Sequence, residues 1–226
     1  MFDTISPRYD LLNRLLSLGM DASWRRALAR QLPQGHNLEI LDLATGTADV
    51  LLTMCRENAN ITSARGIDRA RKMLDIGQAK IEKAGLDRKI ILSEGDANKI
   101  PFEDRRFDAV SISFGIRNVE DPRVVLGEMF RVLKPGGKAL ILEFSLPKNR
   151  FIRAGHLFYL RQIVPLAGHL VAGNYRAYKY LNQTIEQFPY GDAFENLMIG
   201  AGFTKTRTSP LLFGAASVYR GERPAP

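Results

Sequence analysis

From Glu39 to Phe144 short apolar runs alternate with stretches of helical periodicity. A chain written that way buries its strands most readily in a largely parallel sheet with helices on both faces. The run Glu39-Ile-Leu-Asp-Leu43 passes through a loop of small residues, Ala44 to Asp49, into a helix that ends before the Asn58–Asn60 turn. Ser63–Ile67 and Ile90–Glu94 read as the next strands, with a helix over Ala70–Ala84 between them and Gly85 as its stop. Phe107–Ser113 follows the turn at Glu103–Arg106. A helix over Asp121–Leu133, the Lys134-Pro-Gly-Gly137 turn and the strand Lys138–Phe144 complete the series.

The flanks are written differently. Leu11, Leu12, Leu15 and Leu16 recur at helical spacing, and Asp21–Leu32 reads as a second helix with Asp21 as its N-cap. From Pro147 to Asn182 aromatic, aliphatic and basic residues mix, broken by Pro165, Gly168 and Gly173, which predicts a helical insertion. Gly191–Ala201 returns as a helix closed by Gly202, and Phe203–Leu211 and Gly214–Arg220 read as a final antiparallel pair turning near Gly214. The expected fold class is therefore α/β: a doubly wound, Rossmann-like, seven-stranded and mostly parallel sheet with an antiparallel last strand. The 226 residues suit a single domain. Its expected parts are an N-terminal helical cover (1–35), a cofactor-binding βα core (36–147), a helical insertion or lid (148–190) and a C-terminal helix with a β-hairpin (191–226).

Composition narrows the partners. A net charge of +8 and a pI near 9.7 make phosphates, nucleic acid or acidic lipid headgroups plausible without choosing among them. Cys55 is the only cysteine, so an intrachain disulfide and a multi-cysteine metal site are excluded; no metal is expected. Met1–Arg8 lacks the apolar stretch of a secretory signal, and Leu157–Gly173 is interrupted by Arg161, Gln162, Pro165 and His169, so no span is expected and the cytoplasm is the natural compartment.

In open α/β sheets the ligand lies beyond the carboxyl ends of the strands, beside the first strand. The loop Ala44–Asp49 holds that place, with Gly46 permitting close backbone approach and Thr47 offering a hydroxyl beside a helix N-terminus. The dinucleotide pattern G-x-G-x-x-G is absent. Asp68 ends the second strand, where a carboxylate can accept both hydroxyls of a ribose, and Asp96 follows the third, where it can accept from an exocyclic amine. Successive strand ends thus describe an adenosine pocket.

These residues carry a resemblance to the class I S-adenosylmethionine-dependent methyltransferases. LDLATGTAD resembles their first motif, Asp68 their second, Gly95-Asp-Ala97 their third, and Arg131-Val-Leu-Lys-Pro-Gly-Gly137 the turn before their fifth strand. Ala48 departs from the glycine usual there, and alanine fits where φ is negative. Further segments are similar to the UbiE, MenG and Coq5 group, which C-methylates prenylated quinols in ubiquinone and menaquinone synthesis: Met1–Asn13 with Leu16–Gly19 and Trp24-Arg25, Ser113–Val119, Leu142–Pro147, Tyr180-Leu181, Phe188-Pro189 and Ala201–Phe203. The resemblance implies S-adenosylmethionine as cofactor, contacted by Thr47, Asp68, Asp96, Ala97 and Ser113. It also implies a prenylated quinol as acceptor, a naphthoquinol or a benzoquinol, seated near Gly115–Asn118.

Carbon methylation needs donor and ring aligned within about 3–3.5 Å, a cation for the phenolate, and a base for the ring proton. Arg117, in the loop leaving the fourth strand, is the expected phenolate stabiliser; an ion pair with Glu120, Asp121 or Glu143 is the structural alternative. Tyr9 could relay a proton, and His156 and His169 are weaker candidates for the base; His36, Cys55 and Trp24 read as structural. Arg150, Arg153, Arg161, Arg176 and Lys179 among the insertion's apolar residues suit an anionic membrane surface, making the expected protein a peripherally associated one. A homo-oligomer or a quinone-synthesis complex is compatible with the sequence. An RNA or other small-molecule methyltransferase is the rival reading; against RNA, Ser113-Phe-Gly-Ile116 stands where base-directed amino methyltransferases carry Asn/Asp-Pro-Pro-Tyr, so no nucleic-acid partner is expected. A scaffold without catalysis is a third reading.

Overall fold

In the computed structural model, the described residues are 17, 19–166 and 184–225. Among them seven strands form one sheet in the order β3-β2-β1-β4-β5-β7-β6. In chain order these are β1 (Leu38–Leu43), β2 (Ile61–Asp68), β3 (Ile90–Glu94), β4 (Phe107–Ser113), β5 (Leu133–Phe144), β6 (Thr204–Leu211) and β7 (Ala216–Glu222). β1 pairs in parallel with β2 and β4, β2 with β3, and β4 with β5, while β7 runs antiparallel to both β5 and β6. The chain reverses outward from β1 in both directions, which opens a crevice at the carboxyl ends of β1 and β4.

Two apolar layers hold the sheet. One joins Ile40, Ala64 and Leu142 to Trp24 and Leu28 of α1 (Asp21–Ala29), Leu51 and Met54 of α2 (Asp49–Glu57) and Ile81 of α3 (Arg71–Lys83). The other joins Leu41, Val110 and Ile141 to Val125 and Met129 of α4 (Pro122–Val132) and to Phe194 and Met198 of α6 (Asp192–Gly200). Neighbouring residues of β1 enter opposite layers, so a strand buried on both faces reads as a continuous apolar run. Between β5 and α6 lies the expected helical insertion, described as α5 (Arg150–Phe158) and a π-helical turn, Tyr159–Ile163.

Several expectations need correction. Asp21 does not cap α1: Met20 holds the N-cap position, and Asp21, inside the first turn, accepts from Arg25 at 2.7 Å and from the Ser17 hydroxyl at 3.3 Å. The helix stops at Ala29, short of Leu32. Lys134–Gly137 is no separate turn: β5 already begins at Leu133, and its pairing shifts register between Phe107↔Leu133 and Ala109↔Lys138. The last strand starts at Ala216, with Gly214 ending a 3₁₀ turn, Leu212–Gly214. Asp121 does cap α4, accepting from the Arg123 amide with Pro122 in the first turn. Tyr9, His169, Arg176 and Lys179 lie outside the described residues.

Candidate functional site

The loop from β1 to α2 sets the floor of the crevice. Ala44, Gly46 and Ala48 all take positive φ, at 49°, 55° and 62°. The expectation of a negative φ at Ala48 is overturned: alanine stands there in the left-handed region, a conformation that costs an L residue roughly 1–2 kcal/mol. The packing explains why it persists. The Ala48 side chain is fully buried, and Gly77 of α3 lies against it; a Cβ on Gly77 would come within 3.1 Å of the Thr47 carbonyl carbon and 3.2 Å of the Ala48 Cβ. The helix leaves out a side chain where the loop needs space.

Asp68, the last residue of β2, fastens this loop. Its Oδ2 accepts from the Gly46 amide and its Oδ1 from the Ala70 amide, each at 2.8 Å. A carboxylate has about four lone-pair directions, so each oxygen keeps acceptor capacity for a hydroxyl. Asp96 is held by Asn98, whose backbone and side-chain nitrogens both donate to Oδ1 at 2.9 Å. That backbone bond is the main reason its carboxyl titrates below the ordinary range, assisted by Asn98's side chain and by Arg69. Its other oxygen lies 3.9 Å from Arg69.

Asp68, Asp96, Ala97 and Ser113 line one cavity of about 510 Å³, with Gly46, Met73, Phe114 and Asn118 among the other walls. That volume suits a nucleoside-sized ligand. The Ser113 hydroxyl is buried without a hydrogen-bond partner among the described residues, an arrangement that lacks its polar complement until something in the cavity supplies one. Thr47 stands apart from the other four. It is buried outside the cavity lining, and its hydroxyl accepts from Lys80 at 2.9 Å, the same ammonium that bonds Asp49 at 2.8 Å.

Arg117 does not line the cavity, although Phe114, Gly115 and Asn118 around it do. Of the partners weighed for it, Glu143 is the one found. Arg117 Nη1 donates to Glu143 Oε1 and to the Phe114 carbonyl, both at 2.7 Å, and the side chains are 7% and 0% exposed. Burial pushes the Glu143 carboxyl up, opposed by the guanidinium and by the Phe144 amide. Arg117 Nε is buried and has no partner among the described residues. Beneath the guanidinium, 5.2 Å from it, lies the Phe144 ring, which packs with Trp24 and Phe114 as an aromatic cluster. Trp24 thus joins α1 to the sheet, Cys55 sits in the core with its thiol pushed up to about 11 by burial, and His36 is exposed. His156 Nε2 is buried without a partner among the described residues, and burial lowers its pKa.

One group escaped the residue-by-residue reading. Asp42, inside β1, is 1% exposed, accepts from the Ser111 hydroxyl at 2.6 Å, and burial pushes its carboxyl up to about 7. The available signal was a carboxylate inside the apolar run Leu41-Asp-Leu43.

Residues 1–223 match the ubiE/COQ5 methyltransferase family. This chain belongs to that family. It is 44% identical to the ubiquinone/menaquinone biosynthesis C-methyltransferase UbiE of Geotalea daltonii over 99% of this chain and 94% of that one. Identity to the demethylmenaquinone methyltransferase of Thermus thermophilus is 43%, over 99% of this chain and all of the relative. In fold, a S-adenosylmethionine-dependent methyltransferase from Thermotoga maritima superposes with a TM-score of 0.67 at 18% identity, covering 99% of this chain and 100% of that one. The cavity lies at the carboxyl ends of the strands, lined by Asp68 of β2, Ser113 of β4 and Ala44 after β1, and Arg117 lies between the lining residues Gly115 and Asn118. Among the described residues no cluster of His, Cys, Asp and Glu could hold a metal ion, and no helix is long and apolar enough to cross a membrane.

Proposed function

We propose that this protein methylates a ring carbon of a prenylated quinol, with S-adenosylmethionine as donor. The observation that carries the reading is the single cavity joining Asp68, Asp96, Ala97 and Ser113 in a chain matched by the family along nearly its whole length. The residues fit the donor. Asp68 keeps acceptor capacity for ribose hydroxyls, Asp96 offers an ionised oxygen to an amine, and the orphaned Ser113 hydroxyl gains a partner. The donor supplies an electrophilic methyl group. The chain supplies position and charge: the β4 carboxyl end orients the ring, and Arg117, a permanent cation whose Nε–H is unspent, stabilises the phenolate. Tyr9 remains a proposed proton relay. Glu143 keeps the guanidinium fixed when no phenolate is present.

Docking at an anionic membrane surface belongs to the same proposal, because a polyprenyl tail gains roughly 0.8 kcal/mol per CH₂ kept in lipid. The names of the curated relatives favour a quinol over RNA. The test is transfer of labelled methyl to short-tailed demethylated naphthoquinols and benzoquinols, with transfer RNA as control. Labelling of a quinol is expected; labelling of RNA alone, or of neither, overturns the reading.

A further inference from the structure

The β6–β7 hairpin tip spends backbone strain on exposing an aromatic ring. Leu212, Phe213 and Gly214 follow one another at positive φ, 43°, 55° and 96°. Leu212 turns in and packs against the core, whereas Phe213 turns out and is 78% exposed. Gly214 is clamped to the strand that leads into the insertion: its carbonyl accepts from the Ser145 hydroxyl at 2.8 Å, and a Cβ there would meet Pro147 Cα at 3.2 Å. Just beyond Pro147, Asn149 caps α5, a helix with no buried residue whose first turn carries Phe151 at 77% exposure. The two most exposed large apolar side chains among the described residues therefore sit on elements tied together through Ser145–Pro147.

Charge chooses the occupant of this face. The described residues 145–166 contain four Lys or Arg and no Asp or Glu. The structure redistributes the roles expected for these cations. Arg161 is neutralised by Glu186, and Arg153 is engaged by the Tyr190 hydroxyl and ring. Arg150 lies over the Phe151 ring at 5.4 Å and has no carboxylate partner among the described residues, and Lys148 meets Asp192 at 3.9 Å with both side chains about 90% exposed. Exposed aromatics beside unpaired or loosely paired cations fit the boundary between acyl chains and phosphate headgroups. The hairpin tip adjoins the carboxyl end of β5, since Phe144 pairs with Ala216, which is the sheet edge that carries the cavity.

We propose that Phe213 and Phe151 form a two-pronged anchor that enters an anionic bilayer, with Lys148 and Arg150 meeting the phosphates. The proposal rests on the quinol reading for its purpose but not for its test. The probe is co-sedimentation of the full chain with phosphatidylcholine vesicles, with and without phosphatidylglycerol. The double substitution Phe151→Ser/Phe213→Ser is expected to weaken vesicle binding about tenfold or more and to spare methyl transfer to a short-tailed quinol. Lys148→Gln/Arg150→Gln is expected to erase only the preference for phosphatidylglycerol. Phe213→Gly separates anchoring from folding, because glycine relieves the left-handed strain: thermal stability should rise while vesicle binding falls. Vesicle binding unchanged in the double variant overturns the anchor, as does a dimer in the wild type that the double variant dissociates. Failure of every quinol as a substrate with vesicle binding intact would sink the quinol reading alone.

Discussion

Removing either member of the Arg117–Glu143 pair should give unequal damage. At 2.7 Å and an effective dielectric near 20, the two charges attract by about 6 kcal/mol, against a desolvation penalty of several kcal/mol for each ion. Glu143→Ala leaves a guanidinium that is 7% exposed and cannot lose its proton, so the loss should reach the roughly 3–5 kcal/mol typical of an orphaned buried charge. Arg117→Ala leaves a carboxylate that can take up a proton instead. Its loss should be smaller at low pH and grow as pH rises, because Glu143, already pushed up by burial, then loses the cation that opposes the shift. The unfolded chain releases that proton near the ordinary value of 4.5 and the folded variant well above it, so stability falls across that interval. Arg117→Met/Glu143→Gln should recover most of the stability, since a buried pair exchanged for neutral groups of similar volume is often tolerated. It should not recover methyl transfer, while cofactor affinity stays near wild type. Urea denaturation at several pH values and calorimetric titration of the cofactor provide the readouts. Equal, pH-independent losses in the two single variants would refute the electrostatic account, and an active double variant would remove Arg117 from the chemistry.

Asp68→Ala should weaken S-adenosylmethionine binding by about 1.5–3 kcal/mol; it should also lower the melting temperature, because the Gly46 and Ala70 amides lose their acceptor. Unchanged affinity by calorimetry removes Asp68 from the site. Ala48→Gly should shift stability by less than about 1 kcal/mol, since relief of roughly 1–2 kcal/mol of strain is offset by a lost buried methyl and a freer unfolded chain. A larger loss on chemical denaturation would mean the methyl matters more than the strain. For Asp42 the folded state holds its proton up to about pH 7 and the unfolded chain only to 3.8, so this group's contribution to stability is full below 3.8 and lost as pH rises through 7. Asp42→Asn, which keeps an acceptor for Ser111, should flatten that fall; an unchanged pH profile would place the slope elsewhere.

The sheet was legible because its signals are local. Ile90–Glu94 and Phe107–Ser113 occupy the spans that their apolar runs mark, and topology then dictates which ends of those strands face a ligand. Asp68, Asp96 and Ser113 could therefore be brought to one place without coordinates. Thr47 illustrates the limit. Its position beside a helix N-terminus is visible in sequence, but the direction of its hydroxyl is decided by Lys80 on the next helix, which no local pattern announces. Ala48 fails for the same reason: alanine carries no mark of a left-handed backbone, and the space that makes it tolerable is left by Gly77 of α3.

Two carboxylates inside apolar strands show how far a sequence rule reaches. Asp42 in Leu41-Asp-Leu43 and Glu143 in Leu142-Glu-Phe144 both break runs that bury each face, so each must be matched by a cation or held neutral. The rule says that a solution exists but not which one. β5 takes the first course: Arg117 comes from the loop after β4 and meets Glu143 at 2.7 Å beside the aromatic cluster. β1 takes the second: with hydroxyls rather than a cation against it, Asp42 keeps its proton up to about pH 7. The difference follows from what surrounds each strand end. Residues after β4 fold back over β5 and can deliver a long side chain, whereas the end of β1 is roofed by the small residues of Ala44–Ala48, which leave room for a ligand and supply no charge of their own. A cation placed beside Asp42 would ionise it, but would also fill the space that the loop keeps open.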